Sequence, residues 1–254
     1  MTELESGAAR SLEGRSYIVL GGTGGIGSAL VRRLVHRGAH VVAAARGEEA
    51  LQALADETGV ETASVDVTDP GQVDDLVKRV AEAQPELYGM ALCVGSILIR
   101  PAHLTTPDQF RETLNINLES AFFTVRAATR HMDGAGSVVL FSTAAAGIGL
   151  AAHEAIAAAK GGVEGMVRSA AASYAGRGLR FNAVAPGLVD TPLARRITSS
   201  KSGRAASEAL HALGRLGHPD EVASMAEWLM DPAHDWVTGQ VFGIDGGLAR
   251  VRSK

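Results

Sequence analysis

The feature that most constrains the fold is a short apolar run that stops abruptly in a cluster of glycines. Residues 16–20 read Ser-Tyr-Ile-Val-Leu, residues 21–27 contain five glycines, and a helix-forming segment follows at residues 28–34. This order predicts a strand, a tight turn and a helix. A helix that begins directly after such a turn leaves its first backbone N–H groups unpaired beside the end of the strand.

The spacing of these glycines matches a pattern that holds a pyrophosphate group. The sequence Gly22-x-Gly24-x-x-Gly27 fits the dinucleotide fingerprint, and Gly21-x-x-x-Gly25-x-Gly27 fits an overlapping variant. A pyrophosphate has to approach the backbone closely, so side chains must be absent, and the amides and positive end of the helix then hold the anion. A flexible turn is the alternative, but the flanking strand and helix favour a nucleotide site. The predicted loop contacts are Gly21, Gly22, Thr23, Gly24, Gly25, Ile26 and Gly27.

The rest of the chain alternates strand-like and helix-like segments from end to end. Further strands are predicted at residues 39–45, 61–65, 87–94, 137–141, 180–184 and 240–244, and helices at residues 47–58, 107–131, 152–176 and 219–230 and after Asp69-Pro70. Two strands joined through one helix run parallel with a right-handed connection. The prediction is therefore an α/β fold, a Rossmann-type doubly wound parallel sheet of about seven strands in a single domain. Residues 15–254 form this domain, residues 1–14 a flexible arm, and the polar, weakly periodic residues 193–216 a mobile lid.

Composition limits the classes of partner. A net charge of −4 and a pI near 6.1 argue against charge-driven binding to nucleic acid or to a membrane surface. The single cysteine, Cys93, has no second cysteine for an internal disulfide, which favours a reducing compartment, here the cytoplasm. The polar N-terminal segment does not resemble a signal peptide, and no apolar run is long enough to span a membrane. A small-molecule substrate and no metal site are expected.

The end of the second predicted strand bears on the choice of nucleotide. In NAD-binding units an Asp or Glu at this place binds the ribose 2′-hydroxyl, whereas here Ala45 closes the strand and Arg46 follows. Alanine offers no acceptor, and an arginine clamps a 2′-phosphate through charge-assisted hydrogen bonds. The sequence therefore favours NADP(H) over NAD(H), the alternative being that Arg46 is a solvated charge. Asp66, at the tip of the third strand, either accepts a hydrogen bond from the adenine amino group or caps the next helix.

Longer motifs downstream add to the glycine loop. They are Asp66-Val67, Asn115-Ile116-Asn117-Leu118, Lys160 with residues 161–165, residues 180–187, Asp190-Thr191-Pro192 and residues 239–247. Together with the loop they make the chain resemble the short-chain dehydrogenase/reductase family over nearly its full length. The resemblance implies an NAD(P)-dependent oxidoreductase, a substrate lid near residues 193–216, and a homotetramer or homodimer packed through the long helices. It also implies nucleotide contacts from Val67, Val94, Gly95, Lys160, Pro186, Gly187, Val189 and Thr191.

The catalytic positions of that family are only partly kept. The family tetrad is Asn, Ser, Tyr and Lys. Counted back from Lys160, the Tyr position holds Ile156 and the Ser position holds Thr143, while Lys160 itself and Asn117 match. Asn117 either holds a water or kinks its helix. After the fourth strand the family carries Asn-Asn-Ala-Gly, whereas residues 92–95 read Leu-Cys-Val-Gly.

Replacing the tyrosine removes the usual proton donor. In the family reaction a hydride moves between nicotinamide and a carbonyl carbon, the tyrosine hydroxyl transfers the proton, and the lysine binds the ribose and lowers the tyrosine pKa. Ile156 transfers no proton, and losing a positioned acid costs about 10² to 10⁴ in rate, although the positioning of coenzyme and substrate survives. Ordinary alcohol–ketone exchange is therefore disfavoured, but inactivity does not follow.

His153 is the candidate substitute for the missing donor. Residues 153, 156 and 160 follow helix spacing and lie on one face, and imidazole exchanges protons near neutral pH. The interval from His153 to Lys160 is similar to that between tyrosine and lysine in enoyl reductases of the same superfamily. A solvated His153 beside the helix start is the alternative. Ser142 and Thr143 either bind a substrate oxygen or form local hydrogen bonds at the strand end.

Three functions are compatible with these residues. The preferred one is an NADP(H)-dependent oxidoreductase that reduces a carbonyl or a conjugated C=C of a small molecule with altered proton delivery, as Lys160 and Asn117 indicate. The second is a nucleotide-binding partner subunit or sensor without turnover, as Ile156 indicates. The third is a non-redox lyase, isomerase or cyclase with His153 and Glu154 as its acid–base pair. The cations of the lid either meet an acidic substrate or face water; they are Arg195, Arg196, Lys201 and Arg204.

Overall fold

Seven parallel strands form the central layer of the protein. The computed structural model describes residues 12–84 and 86–251. The strands are β1 (Ser16–Leu20), β2 (His40–Ala45), β3 (Glu61–Ser64), β4 (Leu87–Leu92), β5 (Gly136–Phe141), β6 (Leu179–Pro186) and β7 (Val241–Ile244). Their order across the sheet is β3-β2-β1-β4-β5-β6-β7, and every neighbouring pair is parallel. The direction of winding reverses between β1 and β4, which is where ligands bind in open α/β sheets.

Helices cover both faces of this sheet. They are α1 (Gly25–His36), α2 (Glu48–Thr58), α3 (Pro70–Ala83), α4 (Pro107–Leu114), α5 (Ser120–His131), α6 (Ala144–Gly147), α7 (Glu154–Tyr174), α8 (Arg195–Thr198), α9 (Lys201–Leu210) and α10 (Pro219–Met230). Val73, Val125 and Val163, from α3, α5 and α7, are buried in one core cluster. Leu30 and Val222, from α1 and α10, are buried in a second. The predicted α/β fold, with a doubly wound parallel sheet of seven strands, is therefore confirmed.

The helix predicted over residues 107–131 is broken in the middle. A turn of π-helix, Asn115–Glu119, separates α4 from α5. Within that turn Asn117 is buried, and its Nδ2 donates to the carbonyl oxygen of Thr113 at 2.9 Å. A side chain that bonds to a carbonyl one turn back competes with the helix ladder, and π-turns are frequent at functional sites. Asn117 thus lies in a π-helical turn between two α-helices, and whether it holds a water or kinks its helix stays a prediction.

The segment predicted as a lid contains more regular structure than its weak periodicity suggests. Within residues 193–216 the chain forms α8 and α9, which together account for most of the segment. Ser200 starts α9, because its Oγ accepts a hydrogen bond from the N–H of Gly203 at 3.0 Å. Short helices give too few turns for a clear period. That this segment moves over a substrate stays a prediction.

The two ends of the chain are described only in part. Of the predicted arm, residues 1–14, the first eleven lie outside the described residues. Leu12, within the same arm, is fully buried in the core beside Tyr17. Across residues 12–84 and 86–251, no helix has both the length and the apolar character needed to cross a membrane.

Candidate active site

The glycine loop forms the floor of a cleft at the carboxyl edge of the sheet, between β1 and α1. Gly21 has a φ of 82°, in the left-handed region that glycine adopts at low cost, and a Cβ there would lie 2.8 Å from Cγ2 of Val94. A Cβ on Gly27 would overlap the carbonyl oxygen of Gly21. Gly24 precedes α1 and brings no capping side chain. The first N–H groups of α1 are therefore suited to an anion.

The cleft above this loop brings most of the predicted nucleotide contacts together in a volume of about 500 Å³. Its predicted lining residues are Gly21, Thr23, Gly24, Gly25, Ile26, Arg46, Asp66, Val67, Val94, Gly95 and Thr191. An adjoining space of about 160 Å³ is lined by Lys160, Pro186, Gly187 and Val189. Gly22 lies behind this surface, where a Cβ would approach that of Ala43 to 2.9 Å, and Gly27 is likewise a packing position. A cradle free of side chains at a helix N-terminus fits the pyrophosphate of a dinucleotide.

The ends of β2 and β3 place Arg46 and Asp66 on this cleft. The Oδ1 atom of Asp66 accepts hydrogen bonds from the N–H of Thr68 at 2.9 Å and from its hydroxyl at 2.7 Å, and these bonds lower the pKa of Asp66. The residue that caps α3 is Asp69, whose Oδ1 accepts from the N–H of Gly71 at 2.8 Å. The alternative that Asp66 caps this helix is therefore wrong, and its ionised carboxylate remains at the cleft.

Lys160 and Asn117 meet beside Gly95 at the inner end of the cleft. The Nζ of Lys160 donates to the carbonyl oxygen of Phe141 at 2.8 Å, and burial lowers the pKa of Lys160 to about 8. The Oδ1 of Asn117 accepts from the N–H of Ser96 at 3.1 Å, and its Nδ2 donates to the Ser96 hydroxyl at 2.8 Å. A Cβ on Gly95 would lie 3.1 Å from Asn117 Oδ1 and 3.7 Å from Lys160 Nζ. The structure thus places the two matching tetrad residues side by side.

We expect the buried ammonium of Lys160 to lower the stability of the protein when no ligand neutralises it. Its pKa falls from 10.5 to about 8 on folding, so the unfolded state binds more protons between these values and stability rises with pH across that window. Lys160→Met removes the charge at similar length. It should be more stable than the wild type by about 1–3 kcal/mol below pH 8. Denaturant unfolding of both proteins should show this difference shrinking towards pH 10.5; a difference that is constant with pH would contradict the assignment.

Ile156 stands four residues before Lys160, where the family resemblance predicts a tyrosine. It is 6% exposed and lines both the space beside the buried lysine and a further cavity of about 360 Å³. Thr143 lines the same two spaces, and its Oγ1 accepts from the N–H of Ala145 at 3.3 Å, so its own proton remains available for a substrate oxygen. Ser142 instead donates to Oε1 of Glu164 at 2.8 Å. Of the two hydroxyls, Thr143 is the one that can donate to a substrate.

His153 stands immediately before α7 and borders the 360 Å³ cavity with Ile156. It is half-buried, whereas Glu154 is exposed. The Nδ1 of His153 lies 2.8 Å from the carbonyl oxygen of Ala151. A carbonyl only accepts, so Nδ1 carries a proton, and in the neutral imidazole Nε2 carries the lone pair. His153 therefore lies at the start of the helix, as in the alternative of a solvated histidine, but it also forms part of the cavity lining.

A strained turn holds this histidine. Ala152 has a φ of 61° and is the one non-glycine residue in the left-handed region among those that the structure describes. Its carbonyl oxygen accepts from the N–H of Arg100 at 2.7 Å. Non-glycine residues in this region cost free energy and persist where the surroundings impose them, commonly at active sites. The turn thus fixes the backbone position of His153, which forms part of the cavity lining.

The sequence does not predict a role at the site for three polar residues, which are Ser96, Glu164 and His211. His211 is 3% exposed and borders the same cavity. Its Nδ1 donates to the carbonyl oxygen of Ser207 at 2.7 Å, and its Nε2 accepts from the N–H of Leu188 at 3.1 Å. Both ring nitrogens are used, so His211 ties the end of α9 to the loop after β6. The hydrogen bonds of Ser96 to Asn117, of Glu164 to Ser142 and of His211 Nε2 to Leu188 join residues 21–23 positions apart, and no local pattern signals them.

Known proteins are similar to this chain over most of its length. A family model described as Enoyl-(Acyl carrier protein) reductase matches residues 21–249. Cis-4-hydroxycyclohexanecarboxylate dehydrogenase of Sinomonas cyclohexanicum is 36% identical over 245 residues, which cover 93% of this chain and 97% of that protein. A tropinone reductase homolog of Arabidopsis thaliana is 33% identical over 246 residues, with 94% of each chain covered. The solved structure of a short-chain type dehydrogenase/reductase from Mycobacterium ulcerans has a TM-score of 0.90 at 29% identity, covering 95% of this chain and 92% of that one.

These matches cover 93–95% of this chain, and the named relatives are dehydrogenases and reductases. The dinucleotide cradle and the Lys160–Asn117 pair agree with that chemistry. The chain therefore belongs to the short-chain dehydrogenase/reductase family of NAD(P)-dependent oxidoreductases.

Proposed function

We propose that this protein is an NADP(H)-dependent oxidoreductase that reduces a carbonyl or a conjugated C=C of a small molecule, with His153 as proton donor. The observation that carries the proposal is the continuity of the site. The glycine-floored cleft shares walls with the space beside Lys160, which in turn shares Thr143 and Ile156 with the cavity that His153 borders. A bound nicotinamide supplies the hydride, and the cavity residues handle the substrate oxygen and its proton.

The end of β2 supports NADP(H) as the coenzyme. Arg46 is exposed on the cleft, and Ala45 before it offers no carboxylate for a ribose 2′-hydroxyl. A guanidinium at this place can form two parallel hydrogen bonds to a 2′-phosphate. Asp66 on the same cleft is ionised and can accept from the adenine amino group.

The hydrogen bonds around the cavity favour His153 over its neighbours as proton donor. The Ser142 hydroxyl already donates to a carboxylate, and both nitrogens of His211 are used. In the protonated imidazole of His153 the transferable proton is on Nε2. Losing it leaves the neutral tautomer that the Ala151 carbonyl already stabilises. The Thr143 hydroxyl donates a hydrogen bond to the substrate oxygen as negative charge develops there.

We include the reduction of a conjugated C=C as an alternative to carbonyl reduction for two reasons. The proton then goes to an enolate, which places different demands on the acid than a carbonyl oxygen does. The matching family model is also described as an enoyl reductase, and the interval from His153 to Lys160 resembles the one in such enzymes.

The test combines nucleotide binding with turnover. NADPH fluorescence is titrated against the protein, and loss of NADPH absorbance is then followed with panels of ketones and enones. Binding with turnover supports the proposal. Binding without turnover on either panel favours the nucleotide-binding partner or sensor, which the apolar Ile156 at the donor position also suits. Product formed without loss of NADPH favours a lyase, isomerase or cyclase.

The coenzyme preference has its own variant. Arg46→Asp removes the fork and adds a repulsive charge, so we expect the Kd of NADPH to rise about 100-fold, because a charge-assisted hydrogen bond contributes about 1.5–3 kcal/mol. NADH, which lacks the 2′-phosphate, serves as the matched ligand and should change by less than about threefold. Arg46→Lys should lie between the two. A ratio of NADPH to NADH affinity that does not move would defeat the assignment.

A further inference from the structure

We infer that this enzyme acts on neutral, apolar molecules and rejects substrates that carry a carboxylate away from the reacting group. The inference rests on the proposed function, because it names the substrate class of the same cavity. It concerns the outer part of that cavity, where the substrate's remote end has to lie.

The outer part of the cavity is lined chiefly by aliphatic side chains. Ile99, Leu150, Ile197, Leu210 and Leu248 border the 360 Å³ cavity without bordering the space beside Lys160. They come from the loop after β4, the turn before α7, the lid helices and the C-terminal turn. Four separate segments thus present the same chemistry to one space, so its apolar character is a property of the site as a whole.

The polar groups of this outer part are committed to the protein. The Ser207 hydroxyl donates to the carbonyl oxygen of Gly203 at 2.8 Å. His211 donates to one backbone group and accepts from another. Nε2 of His153 is left, and the reaction uses it at the substrate oxygen. The other described side chains that border this cavity without bordering the space beside Lys160 are aliphatic and offer no hydrogen bond to a remote carboxylate.

The cations of the lid do not reach this cavity. None of Arg195, Arg196, Lys201 and Arg204 borders it in the part of the chain that the structure describes. Arg204 is held by Oδ2 of Asp190 at 2.7 Å and by Oε1 of Glu208 at 3.0 Å. Lys160, on the coenzyme side next to the cavity, is 7% exposed and donates to the Phe141 carbonyl oxygen. Of the two roles considered for the lid cations, contact with an acidic substrate is disfavoured.

An ionised carboxylate that packs against this wall would lose part of its hydration without gaining a partner. Such a loss is large enough that we expect discrimination of about 100-fold or more against the charged substrate. The name of the Sinomonas relative states that its substrate is a cyclohexanecarboxylate. The inference therefore separates the substrate class of this chain from that of a protein 36% identical to it.

The experiment uses three cyclohexanones that differ at the 4-position: a carboxylate, its methyl ester and a methyl group. Their binding to the full-length protein saturated with NADP⁺ is measured by calorimetry, and their reduction by loss of NADPH. We expect the ester and the methyl compound each to bind at least about 100-fold more tightly than the carboxylate. Carboxylate binding equal to that of the ester, or no ester binding up to its solubility, overturns the inference. Preferred ester binding without reduction supports it while removing the proposed redox function.

A charge placed on the wall gives the reverse test. Leu210 borders the cavity and is 55% exposed, so Leu210→Arg adds a cation there without filling the core. We expect it to tighten carboxylate binding about tenfold or more, the worth of a charge-assisted hydrogen bond. Leu213→Arg adds the same charge three residues away, to a side chain that does not border this cavity, and should leave carboxylate binding unchanged. Equal effects of the two variants would contradict a site-specific wall.

Discussion

Ile156→Tyr is expected to raise kcat/KM for ketone reduction by up to about 100-fold, because a positioned general acid contributes about 10² to 10⁴ in rate and His153 already supplies the lower end of that range. The side chain at this position borders both the space beside Lys160 and the substrate cavity, so a phenol has a cavity to enter. Lys160 lies one helical turn further along α7, and its positive charge would lower the pKa of the new phenol. The measurement is loss of NADPH absorbance with a panel of ketones.

Ile156→Phe is the matched control, because it adds the ring without the hydroxyl. It should leave ketone reduction near the wild-type rate. Equal gains from the two variants would assign the effect to packing of the ring, and no gain from Ile156→Tyr would show that proton delivery does not limit the wild-type reaction.

His153→Ala is expected to lower kcat about 100-fold, the lower end of the range for a general acid. Its neighbour provides the control: Glu154 is exposed and lies outside the cavity lining, so Glu154→Ala should change kcat by less than about twofold. Steady-state kinetics at saturating NADPH measure both. Equal kcat values for these two variants would remove His153 from the mechanism.

The two changes can be combined to separate a chemical role from a structural one. If His153 donates the proton, the phenol of Ile156→Tyr replaces it, and adding His153→Ala to that variant should cost little. A loss as large as in the wild-type background would mean that His153 only shapes the site, since independent effects add.

The parts of this protein that depend on local order in the sequence are predictable. A strand, a glycine turn and a helix follow from residues 16–34 alone, and the cradle that they form is present in the structure. The alternation of apolar and helical segments predicts the sheet for the same reason. That Ile156 stands at the tyrosine position of the family rests on a count of four residues back from Lys160, and it stays a prediction.

The parts that depend on long-range contacts are not predictable in this way. The hydrogen bond from Ser142 to Glu164 forms only because the end of β5 lies beside α7. This bond leaves Thr143 as the hydroxyl whose proton is available to a substrate. Aliphatic lining of the outer cavity likewise arises from segments that meet only in the folded chain.

The bend at Ala152 sets two evolutionary pressures against each other. A left-handed alanine costs about 1–2 kcal/mol, and a glycine there would recover part of that cost while loosening the approach of the imidazole. Selection for heat tolerance would therefore favour changes at this codon, whereas selection for turnover would oppose them. Lineages living at different temperatures would be expected to diverge here before they diverge in the glycine loop.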